Sequence, residues 1–208
     1  MRIQSPLEEK FNAYTHGIGA LLGIVGLILL IVFDNHKTEY SLFSVIVYGI
    51  TLIVLFSSST LYHAVQHESK KHYYRILDHI SIYLLIAGTY TPICLITLET
   101  SKGWTLFIIE WIIVALGSIL KIFFTGKYEA ISLILYLVMG WLVVLDYGFL
   151  SEALSYNGLL LLFSGGLFYT VGIVFYAIEK IPYNHVIWHL FVLGGAISHY
   201  FMILLYAI

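Results

Sequence analysis

The chain has 208 residues, of which 60% are hydrophobic and only 11% are charged, whereas soluble domains carry about 25% charged residues. Ten Lys and Arg against twelve Asp and Glu give a formal charge of -2. This composition excludes a nucleic-acid-binding protein, which needs a basic face, and a disordered chain, which would be polar. The single cysteine, Cys94, excludes an intrachain disulfide and a Cys-rich metal site. We therefore expect an integral membrane protein.

Seven apolar stretches are long enough to cross a bilayer, for which a helix needs about 20 residues. In chain order they are residues 17–33, 42–63, 76–98, 104–124, 130–147, 158–178 and 186–208. The connecting segments are short and carry most of the charge, so residues 1–208 are expected to form a single domain. The predicted fold is an all-α, polytopic bundle of seven transmembrane helices, because helices satisfy their own backbone polar groups in lipid.

The first predicted span does not have the features of a removable signal peptide. Glu8 and Glu9 stand where a basic segment would precede the apolar run, and no small-residue cleavage site follows Phe33. We expect this span to remain in the protein as an uncleaved anchor.

The basic residues fall mainly on one side of the predicted topology. Eight are on the side of the N-terminus and two are on the opposite side: Arg2, Lys10, Lys70, Lys71, Arg75, Lys121, Lys127 and Lys180, against Lys37 and Lys102. Cytoplasmic connectors carry the excess of Lys and Arg. This distribution predicts a multi-pass protein of the cell membrane with a cytoplasmic N-terminus and an external C-terminus.

Histidines of separate spans are predicted to meet at the cytoplasmic end of the bundle. His63 ends the second span, and His185 and His189 begin the seventh at positions i and i+4, on one helix face. Titratable groups within a membrane are costly and point to function. Three imidazoles with one open coordination position are typical of catalytic zinc, and imidazole suits zinc better than magnesium or calcium. The pattern therefore predicts a zinc site.

Two further polar residues are predicted at the same depth. Asp78 begins the third span, where it would orient a ligand histidine or hydrogen-bond water at the metal, and Ser59 lies one helical turn before His63. Other interpretations remain open from the pattern alone. The histidine pair could contact lipid headgroups, Asp78 could pair with Arg75, and the Ser59 hydroxyl could bond to its own helix backbone.

The remaining titratable residues are assigned away from the zinc site. His79 follows Asp78 but points about 100° away on a helix, which favours packing or a headgroup contact. Glu110, Asp146 and His199 lie toward the middle or the outer half of their spans. These three predict either a proton-handling cluster or buried groups satisfied by their neighbours.

Five short motifs in a fixed order carry a family resemblance over essentially all seven spans. They are Glu9-x2-Asn12-x3-His16, Ser59-x3-His63, Leu77-Asp78-His79, Gly88-Thr89-Tyr90-Thr91-Pro92 and His185-x3-His189. With these motifs the chain resembles the hemolysin III family, the bacterial branch of the progestin and adipoQ receptor superfamily that includes the adiponectin receptors. Alkaline ceramidases look like more distant relatives with a similar set of Ser, Asp and three His residues.

The resemblance implies a zinc ion held by His63, His185 and His189, with Ser59 and Asp78 beside it. It also implies a zinc-dependent hydrolase of amide or ester bonds, with membrane lipids as substrates and Asp78 and Ser59 as catalytic groups. The alternatives are a non-enzymatic membrane sensor or modulator with a structural zinc, and a pore-forming, cytolytic protein. Asn12 and His16 match a family motif, for which a role around the metal or capping of a helix by Asn12 are both open.

Overall fold

The computed structural model describes residues 4–208, so Arg2, which contributed to the predicted orientation, lies outside the described part. Seven of its helices have the length and apolar composition needed to cross a membrane, which confirms the predicted class and number of spans. The elements are α1 (Pro6–Phe33), α2 (Ser41–Ala64), α3 (Glu68–Pro92) with a π-helical turn (Ile93–Thr97), α4 (Gly103–Phe124), α5 (Glu129–Trp141) with a 3-10 turn (Leu142–Asp146), α6 (Tyr147–Ala153), α7 (Tyr156–Ala177), and α8 (Asn184–Met202) with a second π-helical turn (Ile203–Ala207). The fifth span combines α5, its 3-10 turn and α6.

The first helix begins earlier than its hydropathy predicts. The Ser5 hydroxyl accepts a hydrogen bond from the Glu8 backbone N–H at 3.2 Å, and the Glu8 carboxylate accepts one from the Ser5 N–H at 2.8 Å. This reciprocal cap, with Pro6 in the first helical turn, stabilises a helix start in a polar segment. Asn12 therefore lies inside α1, and the expectation that it caps the helix is wrong.

The third and fifth spans are also longer than predicted. Helix α3 starts at Glu68, within the segment predicted as a connector, so Asp78 lies in the third turn of the helix. The fifth span continues to Ala153 beyond its predicted end at residue 147. Polar helix ends give no hydropathy signal because their residues face water, headgroups or other helices and not lipid tails.

Small residues allow the helix backbones to approach closely. A Cβ atom on Gly19 of α1 would lie 2.7 Å from the Phe56 ring of α2, and one on Gly103 would collide with the Cys94 backbone carbonyl. The π-helical turn follows Pro92, as expected where proline removes a backbone donor. Contacts are dense between α1, α2 and α3 and between α7 and α8, whereas α5 touches its neighbours sparsely.

Candidate metal centre

Three histidine rings converge where α2 ends and α8 begins. One candidate ligand nitrogen from each of His63, His185 and His189 lies within 4.8 Å of the other two. The three residues are 4%, 7% and 1% exposed, respectively, so the cluster is enclosed by protein. Tetrahedral zinc with Zn–N bonds of about 2.0–2.1 Å holds its nitrogens ~3.3 Å apart, a spacing that modest ring rotations would reach. The donor set fits a metal that prefers imidazole nitrogen.

Helix α1 orients the first of these histidines. The Nδ1 atom of His63 lies 2.6 Å from the Glu9 carboxylate, whose other oxygen accepts a hydrogen bond from the Lys71 ammonium at 2.7 Å. A hydrogen bond from Nδ1–H to a carboxylate leaves Nε2 as the free lone pair of a neutral imidazole. Nε2 of His63 is buried and has no hydrogen-bond partner among the described residues. This unpaired nitrogen is the observation that best fits a metal ligand.

The same helix also contacts His189. The His189 Nδ1 atom lies 3.3 Å from the Asn12 backbone carbonyl, which turns Nε2 toward the cluster. The His16 ring stacks on the His189 ring, with centroids 3.6 Å apart and planes inclined by 12°. Asn12 thus provides a backbone acceptor for His189, and His16 provides a stacked ring. These contacts are compatible with the roles around the metal that were left open for the two residues. Their spacing from Glu9, at three and seven residues, places all three on one helix face.

A small cavity beside the histidines contains the other two predicted site residues. Ser59 and Asp78 line it together with His185 and His189, so the hydroxyl and the carboxyl group belong to residues that border the same small space. The cavity volume of about 30 Å³ is sufficient for a water molecule. The structure thus brings every predicted ligand and both predicted catalytic groups to one place, from helices α2, α3 and α8.

An ion-pair cluster that the sequence did not predict adjoins this cavity. The Glu129 carboxylate accepts a hydrogen bond from the buried Lys121 ammonium at 2.6 Å and lies 3.5 Å from Arg75 Nη2. Its distance to His79 Nδ1 is 3.7 Å. Both Glu129 and His79 line the cavity. His79, which was expected to pack or to contact headgroups, is not one of the three converging histidines. The cluster joins α3, α4 and α5 beside the three histidines. Its prediction would have required knowledge of which helices are neighbours.

An apolar cavity of about 80 Å³ continues from the metal centre toward the middle of the bundle. The two cavities share Leu55, Ile82, Tyr136, Trp188 and Val192. Along α8 the apolar cavity extends from Trp188 to His199, a distance of ~16 Å at 1.5 Å per residue. Its lining is largely aliphatic and aromatic, which suits a hydrocarbon chain.

The three polar residues predicted outside the zinc site have different surroundings. Glu110 is fully buried, and neither carboxylate oxygen has a hydrogen-bond partner in the described part of the chain. Asp146 accepts a hydrogen bond from the Lys102 backbone N–H at 3.0 Å. His199 Nε2 lies 3.0 Å from the Leu162 carbonyl. Two of the three thus have partners of their own, and a proton-handling role for the set stays a prediction.

Loss of the Glu9 carboxylate should weaken metal binding without removing a ligand. Glu9→Gln removes the charge that orients and polarises His63, and such changes next to a metal ligand typically lower metal affinity by about 10–100-fold. Competition with a chelator on purified protein measures the effect. Glu68→Gln, an exposed acidic residue near the start of α3, is the control. Equal affinities in both variants would show that Glu9 does not support the site.

The sequence model of the family described as haemolysin-III related matches residues 4–200. The chain is 46% identical over 202 residues to Hemolysin-3 of Bacillus cereus, covering 97% of this chain and 92% of the relative. It is 44% identical over 202 residues to a Hemolysin-3 homolog of Bacillus subtilis, covering 97% and 95%. Identity to the human monocyte to macrophage differentiation factor is 32% over 209 residues, covering 94% and 83%.

Proposed function

Because the chain belongs to the haemolysin-III related family and its three buried histidines converge, we propose that it is a membrane-embedded, zinc-dependent hydrolase of amide or ester bonds in lipids. The observation that carries the proposal is the unpaired Nε2 of His63 inside a three-imidazole cluster. Three protein ligands with an open position are the arrangement of catalytic zinc sites. When bound, zinc would polarise a substrate carbonyl and make water a stronger nucleophile at neutral pH.

The side chains next to the cluster have roles that match this chemistry. Asp78 would accept a proton from the attacking water, as a general base within the same cavity. The Ser59 hydroxyl would donate a hydrogen bond to the oxyanion that develops on the substrate carbonyl. Their proximity supports these roles, because the proton acceptor and the oxyanion donor must both face the reacting carbon.

The apolar cavity supports a lipid as the substrate. A hydrocarbon chain placed in it would position the bond next to its polar end beside Ser59 and Asp78, since this cavity and the metal cavity share lining residues. The excess of basic residues at the helix ends around the centre supports a cytoplasmic location for the site. Membrane lipids are therefore the proposed partners of the protein.

Removal of the proposed general base provides the direct test. Asp78→Asn should retain zinc, yet its hydrolysis of a panel of ceramides, lipid amides and lipid esters should fall by about 10²–10⁴-fold, the usual contribution of general base catalysis. Asp146→Asn, a buried aspartate associated with the Lys102 backbone, should hydrolyse these lipids at the wild-type rate. A wild-type protein that holds zinc but cleaves none of these lipids would contradict the proposal.

A further inference from the structure

The three histidines are almost completely enclosed by the described residues of the protein. His63 and His189 are 4% and 1% exposed, and His185 is 7% exposed. A metal ion that reaches such a site must cross protein, and it must keep oxygen or nitrogen ligands on its way because a bare dication in an apolar medium is very unfavourable. The surroundings of the centre therefore determine how the ion arrives.

The apolar cavity does not meet this requirement. The five residues that it shares with the metal cavity are Leu55, Ile82, Tyr136, Trp188 and Val192, so its junction with the centre is mainly hydrocarbon. Ions are admitted by paths lined with charged side chains or carbonyl oxygens. A divalent cation would lose its water at this junction without gaining replacement ligands.

A second space of about 130 Å³ lies next to the centre. Its lining includes Gln4, Glu129, Tyr176, Glu179, Asn184 and His185, and we call it the polar vestibule. Three of these residues, Glu129, Tyr176 and His185, also line the metal cavity. The vestibule and the metal cavity are thus adjacent, and the volume is sufficient for several water molecules.

The chemistry of the vestibule suits a hydrated cation. Asn184 donates a hydrogen bond from Nδ2 to the Phe175 carbonyl at 3.1 Å, which leaves its side-chain oxygen as an acceptor. His185, at the inner end, makes ring contacts but has no hydrogen-bond partner among the described residues. Carboxylates at Glu129 and Glu179 complete a path of oxygen groups that ends at a free imidazole.

Basic side chains fix the carboxylate at the junction of the two spaces. Glu129 is bound by Lys121 at 2.6 Å and lies 3.5 Å from Arg75. These contacts balance much of its charge, so Glu129 serves as a positioned oxygen ligand at the junction. Glu179 adds a second carboxylate to the lining of the vestibule, and Asn184 adds a side-chain oxygen.

We propose that the polar vestibule is the path by which a divalent cation reaches and leaves the three-histidine centre. The ion passes from Glu179 and Asn184, past Glu129, to His185, which is the ligand that the two spaces share. This inference rests on the proposed metal site, and it adds a transient cation-binding path beside it.

The rates of metal uptake and release test the path on the purified full-length protein in detergent. Zinc is removed with a chelator, Co²⁺ alone is added, and the visible absorption of bound cobalt is followed over time. Ala177→Trp fills the vestibule from an exposed position at the end of α7. It should slow uptake and release about tenfold or more, because binding then waits for a conformational opening, while the equilibrium affinity stays unchanged. Glu179→Gln should slow uptake several-fold at low salt and less at high salt, because electrostatic steering is screened.

Matched variants separate this effect from general disturbance. Ala153→Trp places the same side chain on an exposed alanine that ends α6, and Glu152→Gln removes an exposed carboxylate of the same helix; neither residue lines the vestibule. Both should exchange cobalt at the wild-type rate. Exchange in Ala177→Trp as fast as in Ala153→Trp would overturn the path but leave the metal site intact. A wild-type protein that binds no metal would instead overturn the proposed function, and the path with it.

Discussion

His189→Ala should abolish high-affinity metal binding by the purified protein. The residue is 1% exposed and lies between the Asn12 carbonyl and the other two rings, so its imidazole is held in place by the surrounding protein. Loss of groups that only support a ligand already lowers metal affinity by about 10–100-fold, and loss of one of three ligands should cost more. Elemental analysis after dialysis should find about one zinc per wild-type chain and almost none in the variant.

His72→Ala is the control for this measurement, because His72 is exposed on α3 and should leave the zinc content unchanged. Zinc content in His189→Ala equal to that of the wild type would refute the three-histidine site.

The same samples address the alternative of a structural zinc in a sensor or modulator. A structural ion that joins helices should raise the melting temperature in detergent, whereas an unchanged melting temperature after zinc removal would argue against that alternative.

Gly140→Leu should block the apolar cavity and strongly reduce the binding of lipid chains. Gly140 lines this cavity on α5, and a Cβ atom built there meets no other atom within 4 Å. A side chain can therefore leave the backbone at this position without a clash at Cβ, and leucine is a better helix former than glycine. The acyl chain of a lipid would compete with this side chain for the same space, and its free energy of binding would be less favourable by about 1–3 kcal/mol. This change is equivalent to roughly 5–150-fold weaker binding.

The matched control is Gly148→Leu, since Gly148 also has open space around its Cβ position but is exposed on α6. Both variants should keep the zinc content and the melting temperature of the wild type. Retention of a lipid with a long acyl chain, measured by native mass spectrometry, should fall only in Gly140→Leu. Equal retention in both variants would show that the acyl chain does not occupy this cavity.

Much of the architecture could be predicted from the sequence because a bilayer imposes simple requirements on each segment. Every span must be long and apolar, so hydropathy located all seven. The limits of α1 and α3 were less accurate, since helix starts such as Pro6 and Glu68 are polar and depend on capping and on neighbouring helices. Helix periodicity also placed His185 and His189 on one face, and the length of the spans set their depth relative to His63.

The contacts around the centre were beyond sequence reasoning because they join segments far apart in the chain. Glu9 and His63 are 54 positions apart, and His189 is 177 positions from Asn12. The spacing of Glu9, Asn12 and His16 at three and seven residues could have placed these side chains on one helix face. That prediction would have required the first helix to begin before Glu9, as α1 does. The position of Glu129 had no comparable signal.

By itself, the sequence determined that this chain is a seven-helix membrane protein and which polar side chains share one depth, because both properties follow from residue type and spacing along single helices. Only the tertiary structure decided that Glu9 orients His63, that His79 and Glu129 line the metal cavity, and that an apolar and a polar space meet at the histidines. These features depend on how helices are arranged around each other. That arrangement results from close packing of many small and large side chains at once, which no single segment encodes.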